Sequence, residues 1–455
     1  MSQLSHTNNA RRTAASPDLL VFPGRAGWDE ARRAWNLAVD QRPAAVALPE
    51  TVDDVVAAVD HARAAGLRVA VQGTGHGAGS TPLDGALLIN MARMTGVEVD
   101  ARAQIARVAG GTLWRDVVDA AVGHGLTALH GSAGDVGVVG YSLGGGIGWL
   151  ARKHGLSASS VLSAEVVTAD GEVVLADPDT NEDLFWALRG GGGSFGVVTE
   201  VEIALYPVTD AFAGWLVWPA ERTVEVLDRW ADWTTDVPEE VTSVGRLLQM
   251  PPIPEIPEPL RGRQLVVVEA VFMGDEREGR ELLRPLLDLE PELDTFATVP
   301  ARDLTELHRD PPGPAPGRGE GWMLDAFDVE VARAVVDAAG MDGTSPLLSL
   351  EIRHLEGALG RPDPNGGVLS HLDGSYAVYA LGIVIGADAV AAIDQRLADV
   401  RAATEPWLSR RRYFNFAERD VDPVSFYEQG DYGRLAAIRE EVDPHGLFQA
   451  KHTIV

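Results

Sequence analysis

The residues best placed to do chemistry gather around glycine. His76 stands in the run Gly73-Thr74-Gly75-His76-Gly77, directly after Gln72 and the apolar stretch Val69-Ala70-Val71. Glycines let backbone approach a ligand closely, and an imidazole in such a turn can reach what the amides hold. A second glycine-dense segment, HGSAGDVGVVGYSLGGGIG, runs from His130 to Gly148, and a third, RGGGGSFGVVT, from Arg189 to Thr199. In the second, Gly140, Gly144, Gly145, Gly146 and Gly148 read as an anion-binding nest for a pyrophosphate, backed by a helix starting near Ile147. For His76 two readings stand: an imidazole facing a ligand, or a turn residue bonded to nearby backbone.

The first cluster meets the dinucleotide pattern formally through Gly73, Gly75 and Ala78. That pattern must open a helix, whereas the chain continues Ser80-Thr81-Pro82-Leu83-Asp84-Gly85, so the Rossmann reading is rejected.

Composition narrows the remaining classes. A chain of 455 residues exceeds one ordinary core, and two or three packed units are expected. A net charge of -29 argues against nucleic acid and anionic membrane surfaces, both of which need a basic footprint. The absence of cysteine excludes disulfides, thiolate nucleophiles, thiolate-bound zinc and iron–sulfur clusters. No His, Asp and Glu spacing suggests a metal site. The opening MSQLSHTNNARRTAASPDLLVF has two arginines but no apolar stretch behind them, and no later segment is long and apolar enough to span a bilayer. A cytoplasmic protein is the expectation.

The elements that position the clusters are legible in part. Thr51 with Asp54 forms a capping box, Val52, Val55, Val56 and Val59 make one stripe, and Gly66 ends the helix. Strands are expected at Leu87–Asn90, Val97–Asp100 and Ile105–Val108, a helix from Thr112, and a hairpin about Asp170-Gly171. Asp183 to Arg189 reads as a short helix. Beyond Tyr206-Pro207 come strands at RQLVVVEAVF, PLLSLEIRHL and SYAVYALGIVIG, helices near 276–287 and 387–403, and proline-rich loops at MPPIPEIPEPL and RDPPGPAPGRG. This region reads as an antiparallel sheet with helices on one side.

The order strand, Gly-x-Gly-His-Gly, then VGVVGYSLGGGIG, with Tyr413-Phe414-Asn415-Phe416 in the tail, resembles the berberine-bridge-enzyme-like FAD-linked oxidases of the vanillyl-alcohol-oxidase superfamily. The resemblance implies an α+β fold with a two-subdomain PCMH-type FAD-binding domain and a substrate domain whose antiparallel sheet is covered by helices on one side. Its divisions would be an N-terminal arm at 1–40, the FAD domain at 41–207, the substrate domain at 208–405 and a returning C-terminal element at 406–455.

The resemblance makes His76 the covalent attachment point of FAD. Ala133 stands where many relatives carry a second, cysteinyl tether, so only one bond is possible. It also implies cofactor contacts from Gln72, Gly73, Thr74, Gly75, Gly77, Gly131, Ser132, Val136, Gly137, Gly140, Tyr141, Gly144, Gly145, Gly146, Gly148, Val198, Tyr413 and Asn415. Val136 would sit over the oxygen-reactive carbon of the flavin and Tyr141 near its pyrimidine ring. Phe416 replaces the family's final tyrosine, which leaves Tyr413 as first candidate for the base, provided its phenol pKa is lowered.

Arg353, His354 and His371 are placed on strands of the substrate domain. Alternation turns Arg353 and His354 to opposite faces, and Arg353 and His371 are taken as candidate catalytic residues. The expected activity is oxidation of a C–H beside a hydroxyl or amine of a small molecule, with dioxygen as acceptor, in a monomer or homodimer. The tryptophan- and proline-rich region is expected to build an apolar cleft suited to an aromatic or polycyclic secondary metabolite. Two other readings are a flavoprotein that sequesters a small molecule with little turnover, as a resistance protein would, and a dehydrogenase using another acceptor.

Overall fold

The computed structural model describes residues 16, 18–79, 81–310, 313–340 and 343–455. Ser80, Pro311, Pro312 and the stretch before residue 16, with its expected lack of a leader, lie outside them.

Three sheets carry the architecture. The first, in the order β1-β2-β4-β3, is formed by β1 (Leu20–Val21), β2 (Ala45–Ala47), β3 (Arg68–Gln72) and β4 (Ala86–Asn90). Its strands β2, β4 and β3 run parallel, and β1 adds antiparallel to β2. The segment read as an N-terminal arm therefore contributes a strand to this sheet. The helix Val52–Ala65 crosses over between β2 and β3 with the expected capping box of Thr51 and Asp54, and Gly66 closes it at φ 66°.

The second sheet is antiparallel, in the order β5-β6-β9-β7-β8: β5 (Val97–Asp100), β6 (Ile105–Ala109), β7 (Val161–Val167), β8 (Val173–Ala176) and β9 (Val197–Ala204). Its core takes Val117 from the helix Trp114–Val122 and Leu184 and Leu188 from the helix Glu182–Gly191. It also takes Phe426, Leu435, Ile438 and Ile454 from the tail, while Val69 of β3 exchanges backbone bonds with Leu447 and Gln449. The C-terminal segment thus returns to the first half of the molecule.

The third sheet is antiparallel throughout. It comprises β10 (Asp210–Pro219), β11 (Val241–Gln249), β12 (Gln264–Phe272), β13 (Leu293–Asp294), β14 (Ala297–Pro300), β15 (Gly317–Leu324), β16 (Ser349–His354) and β17 (Tyr376–Ile383). Its main path is β13-β10-β12-β11-β16-β17-β15, with β14 also paired to β10. The helices Thr223–Thr234, Glu276–Leu287, Val329–Ala339 and Ala389–Ala403 pack on one face, burying Leu227, Leu283, Val335 and Leu397 against alternate strand residues such as Val266, Val268 and Ile352. Each such buried aliphatic side chain contributes about 1.5–3 kcal/mol relative to exposure.

That helix-covered face also holds Trp218, Trp230 and Trp322, each at most 2% exposed. The expectation of a tryptophan-lined apolar cleft over the flavin is corrected here: these indoles fill the core beneath the helices. Three strands are long-range features the sequence reading left out. β10, β11 and β15 lack clean alternation because both their faces are covered.

Candidate active site

The loop after β3 is held rigidly. Trp35 N–H donates to the Thr74 carbonyl at 2.9 Å, and Gln72 accepts from Gln41 at 2.6 Å and donates to the Arg33 carbonyl at 3.0 Å. Gln72 thus anchors the loop. Gly75 has φ 84°, and a Cβ there would stand 2.7 Å from the Ala34 backbone, so only glycine lets the two segments meet.

Around His76 this packing builds a defined environment. The ring stacks on Trp35 with centroids 4.1 Å apart at 22°. Nδ1 lies 2.8 Å from the Thr74 hydroxyl. Nε2 lies 3.4 Å from Oδ1 of Asp135, an ion-pair distance without hydrogen-bond geometry, so this buried nitrogen lacks a formed partner. Asp135 Oδ2 in turn accepts the Trp35 indole N–H at 2.8 Å. Burial raises the Asp135 pKa, but the nearby His76 ring and the hydrogen bond from Trp35 outweigh it and leave the carboxyl below its ordinary value. The bonded-to-backbone alternative for His76 is not what the ring does: its partners are side chains.

The second glycine segment divides into two. A Cβ built on Gly137 would lie 3.9 Å from the Gly73 Cα, so the first two clusters abut, and a Cβ on Gly73, Gly77 or Gly140 would meet nothing within 4 Å. These are the open positions. Gly144, Gly145, Gly146 and Gly148 are instead filled by the chain itself. A Cβ on Gly144 would stand 1.9 Å from Asn415 Oδ1, and one on Gly148 1.8 Å from the His130 carbonyl. The Gly145 amide bonds Ser142, and the Gly146 amide donates to the Tyr413 hydroxyl at 2.9 Å.

The expected pyrophosphate nest at 144–148 is therefore corrected for its first three glycines: the Gly144 and Gly145 amides bond the Ser142 carbonyl and the Gly146 amide bonds Tyr413. The helix expected from about Ile147 begins later, as the single turn Ala151–His154, and another helix, Val138–Leu143, precedes the run. Gly131 lies against the Tyr141 ring, which fills the gap over Gly146, and the Tyr141 hydroxyl is buried with no partner among the described residues. Val136 accepts from Trp114 N–H through its carbonyl and stays half-buried. Val198 lies in the core of the second sheet.

Tyr413 is 2% exposed, and its hydroxyl accepts from both Gly146 and, at 3.3 Å, the Asn415 amide. Asn415 also donates to the Tyr141 carbonyl at 2.9 Å, so this pair clamps the tail onto the glycine run. Burial pushes the Tyr413 phenol far up, and its hydrogen bonds do not compensate. The lowered pKa a catalytic base would need is not present, and Tyr413 reads as a clamp. His371 is also corrected: it lies in the loop before β17, not on a strand, and is held by Asp373 at 3.2 Å and Arg411 at 3.1 Å.

Arg353 and His354 face opposite ways. His354 stacks on Tyr376 of the helix-covered face, while Arg353 pairs with Glu351 at 2.9 Å on the other. There it joins a buried cluster the sequence did not disclose. His308 lies between Glu269 at 2.5 Å and Glu351 at 2.8 Å, and Arg246 bonds Glu269 at 2.9 Å. Asp310 completes it and accepts from the Ser132 hydroxyl of the second glycine segment at 3.3 Å. The Arg353 guanidinium lies 5.5 Å from the Phe416 ring, so the cluster reaches both the glycine loop and the tail. Burial and Arg246 press the His308 pKa down, but Glu269, Asp310 and Glu351 prevail and raise it to about 9.

The residues present suit a bound FAD. Open positions at Gly73, Gly77 and Gly140 allow close backbone approach, and among the described residues the buried Tyr141 hydroxyl beside them has no hydrogen-bond partner. Burial keeps Tyr141 a neutral phenol, hence a donor. Trp35 and Asp135 were missed by sequence reading, since only the fold brings residues 100 positions apart together. A cavity of about 360 Å³ opens beside this loop, between Gly79, Gln41, Arg318 and Glu418. Among the described residues no three His, Asp or Glu side chains are grouped to hold a metal ion, and no helix is long and apolar enough to cross a membrane.

Comparison with known proteins agrees with this geometry. Residues 43–177 match the FAD binding domain family. The chain is 36% identical over 201 residues to (R)-6-hydroxynicotine oxidase of Paenarthrobacter nicotinovorans, covering 44% of each protein. It is 37% identical over 224 residues to glucooligosaccharide oxidase of Sarocladium strictum, covering 48% of this chain and 45% of that one. These matches span less than half of each relative. The structure of 6-hydroxy-D-nicotine oxidase from Arthrobacter nicotinovorans superimposes with a TM-score of 0.83 at 25% identity, covering 96% of this chain and 97% of that one.

Proposed function

Because this chain belongs to the PCMH-type FAD-linked oxidoreductases, we propose that it is an oxidase carrying its flavin on His76 and oxidising a C–H beside a hydroxyl or amine of a small molecule. The observation that carries the reading is the His76 environment: an imidazole fixed by Trp35 and Asp135, its Nδ1 met by the rotatable Thr74 hydroxyl, beside glycines open to a ligand. When bound, FAD supplies the two-electron acceptor. The substrate gives up one C–H hydrogen with its electron pair and one heteroatom proton, and dioxygen takes both electrons and both protons as hydrogen peroxide.

The chain's own residues would orient that substrate. The cluster of Arg246, Glu269, His308, Asp310, Glu351 and Arg353 offers charged donors and acceptors beside Ser132 and Phe416, which favours a hydroxyl-bearing substrate over an apolar polycycle. The relatives named for nicotine and oligosaccharide oxidation are consistent with polar small molecules. The raised Tyr413 pKa removes one base candidate and sustains the second reading, a flavoprotein that binds its ligand with little turnover.

A panel of sugars, alcohols and amines separates the two. An oxidase bleaches its flavin anaerobically with one of them, then consumes oxygen and releases equimolar peroxide. Tight binding that perturbs the flavin spectrum without bleaching it would overturn the oxidase reading, and bleaching without oxygen consumption would replace it by a dehydrogenase.

A further inference from the structure

A neutral imidazole carries one proton, and the neighbours of its two nitrogens decide which one holds it. At Nε2 of His76 the facing charge is an Asp135 oxygen, at 3.4 Å. A carboxylate can only accept, so a bare Nε2 lone pair facing it would be repelled, whereas an N–H there is attracted. At Nδ1 the Thr74 hydroxyl, 2.8 Å away, can donate to a bare nitrogen. Both sides favour the same tautomer.

Trp35 fixes the geometry twice. Its ring sets the plane of the imidazole, and its indole N–H ties up Oδ2 of Asp135, leaving Oδ1 for His76. The His76 and Asp135 side chains are 21% and 18% exposed, so solvent screens the pair weakly.

We infer that Asp135 is the positioning residue of His76, holding the ring proton on Nε2 and leaving the Nδ1 lone pair as the nucleophile. The inference rests on the reading of His76 as the flavin tether. Attachment forms an Nδ1–carbon bond, breaks one methyl C–H, releases the ring proton and leaves two electrons on the flavin, which dioxygen removes as peroxide. While that bond forms, the ring becomes cationic, and the Asp135 carboxylate stands against its N–H to stabilise the charge. Thr74, with a single rotor, is the group that turns aside.

The test uses the full chain produced under riboflavin limitation and then incubated with FAD. In Asp135→Asn the side-chain carbonyl can keep the Trp35 bond while the amide turns its N–H to Nε2, moving the ring proton to Nδ1. The variant is expected to bind FAD and colour, while the covalent gain in protein mass slows roughly 10- to 100-fold, the scale of loss when the partner that orients a metal-ligating imidazole is removed. In ¹⁵N-histidine spectra of the flavin-free chain, the His76 proton is expected on Nε2 in the wild type and on Nδ1 in the variant. Attachment at the wild-type rate, or a flavin peptide linked through Nε2, overturns the inference.

Should Asp135→Asn not fold, Trp35→Phe keeps the stacking ring and loses the carboxylate's anchor. A slower mass gain with FAD bound then supports the inference, and an unchanged rate overturns it. If even the wild type gains no mass, the tethering reading fails by itself. The ¹⁵N spectra then decide: a proton that moves on Asp135→Asn supports the role of Asp135, and one that stays overturns it.

Discussion

Tyr413 illustrates how a residue's type and its surroundings can point different ways. A tyrosine in a flavin-enzyme motif suggests a base, yet its hydroxyl is buried and spent as an acceptor for Gly146 and Asn415. Replacing it with phenylalanine should leave two buried donors without partners, which costs about 1–3 kcal/mol each. The expected result is a lower urea midpoint with the pH dependence of turnover unchanged. An unchanged midpoint with the loss of a basic ionisation from the kcat/KM profile would instead restore Tyr413 as a base. The motif residues were readable because they are contiguous; the partners of His76 were not, because Trp35 and Asp135 look like ordinary residues until the β3 loop, the arm and the second glycine segment converge.

At the scale of elements, local signals survived best. The capping box at Thr51, the hairpin about Gly171 and the Glu276–Leu287 helix all form where the sequence placed them. The glycine run was harder, since glycine density gives the same signal for a ligand cradle as for close packing of protein on protein. Gly140 and Gly144 separate the two cases. Gly144→Ala drives a methyl into Asn415, and overpacking of this kind costs about 1–3 kcal/mol, so tail docking and thermal stability should fall whether or not FAD is present. Gly140→Ala meets nothing in the chain, so the flavin-free protein should keep its melting temperature while FAD affinity falls. Equal destabilisation of both flavin-free variants would contradict this division.

Across the whole molecule, the first half and the tail converge on the glycine segments while the third sheet presents charge to them. The three cations Arg246, His308 and Arg353 balance the three anions Glu269, Asp310 and Glu351, and buried pairs of this kind are costly to break singly. No periodicity announces such a cluster, because its members come from four strands or loops and each reads alone as a solvated charge. His308 gives it a pH signature. Its pKa is about 9 folded and about 6.5 unfolded, so its stabilising contribution is complete below pH 6.5 and disappears as pH rises towards 9. Denaturant titrations should show stability falling over that window, and His308→Gln should be less stable at pH 6 and flatten the slope. A wild-type slope that persists in the variant would assign it elsewhere.

The most direct measurement is the fate of the yellow colour when the purified protein is precipitated in acid. We predict that flavin stays with the wild-type polypeptide, adds its mass to the chain, and is released to the supernatant by His76→Ala. Release from the wild type would remove the tether, and retention in His76→Ala would show that another residue holds the flavin.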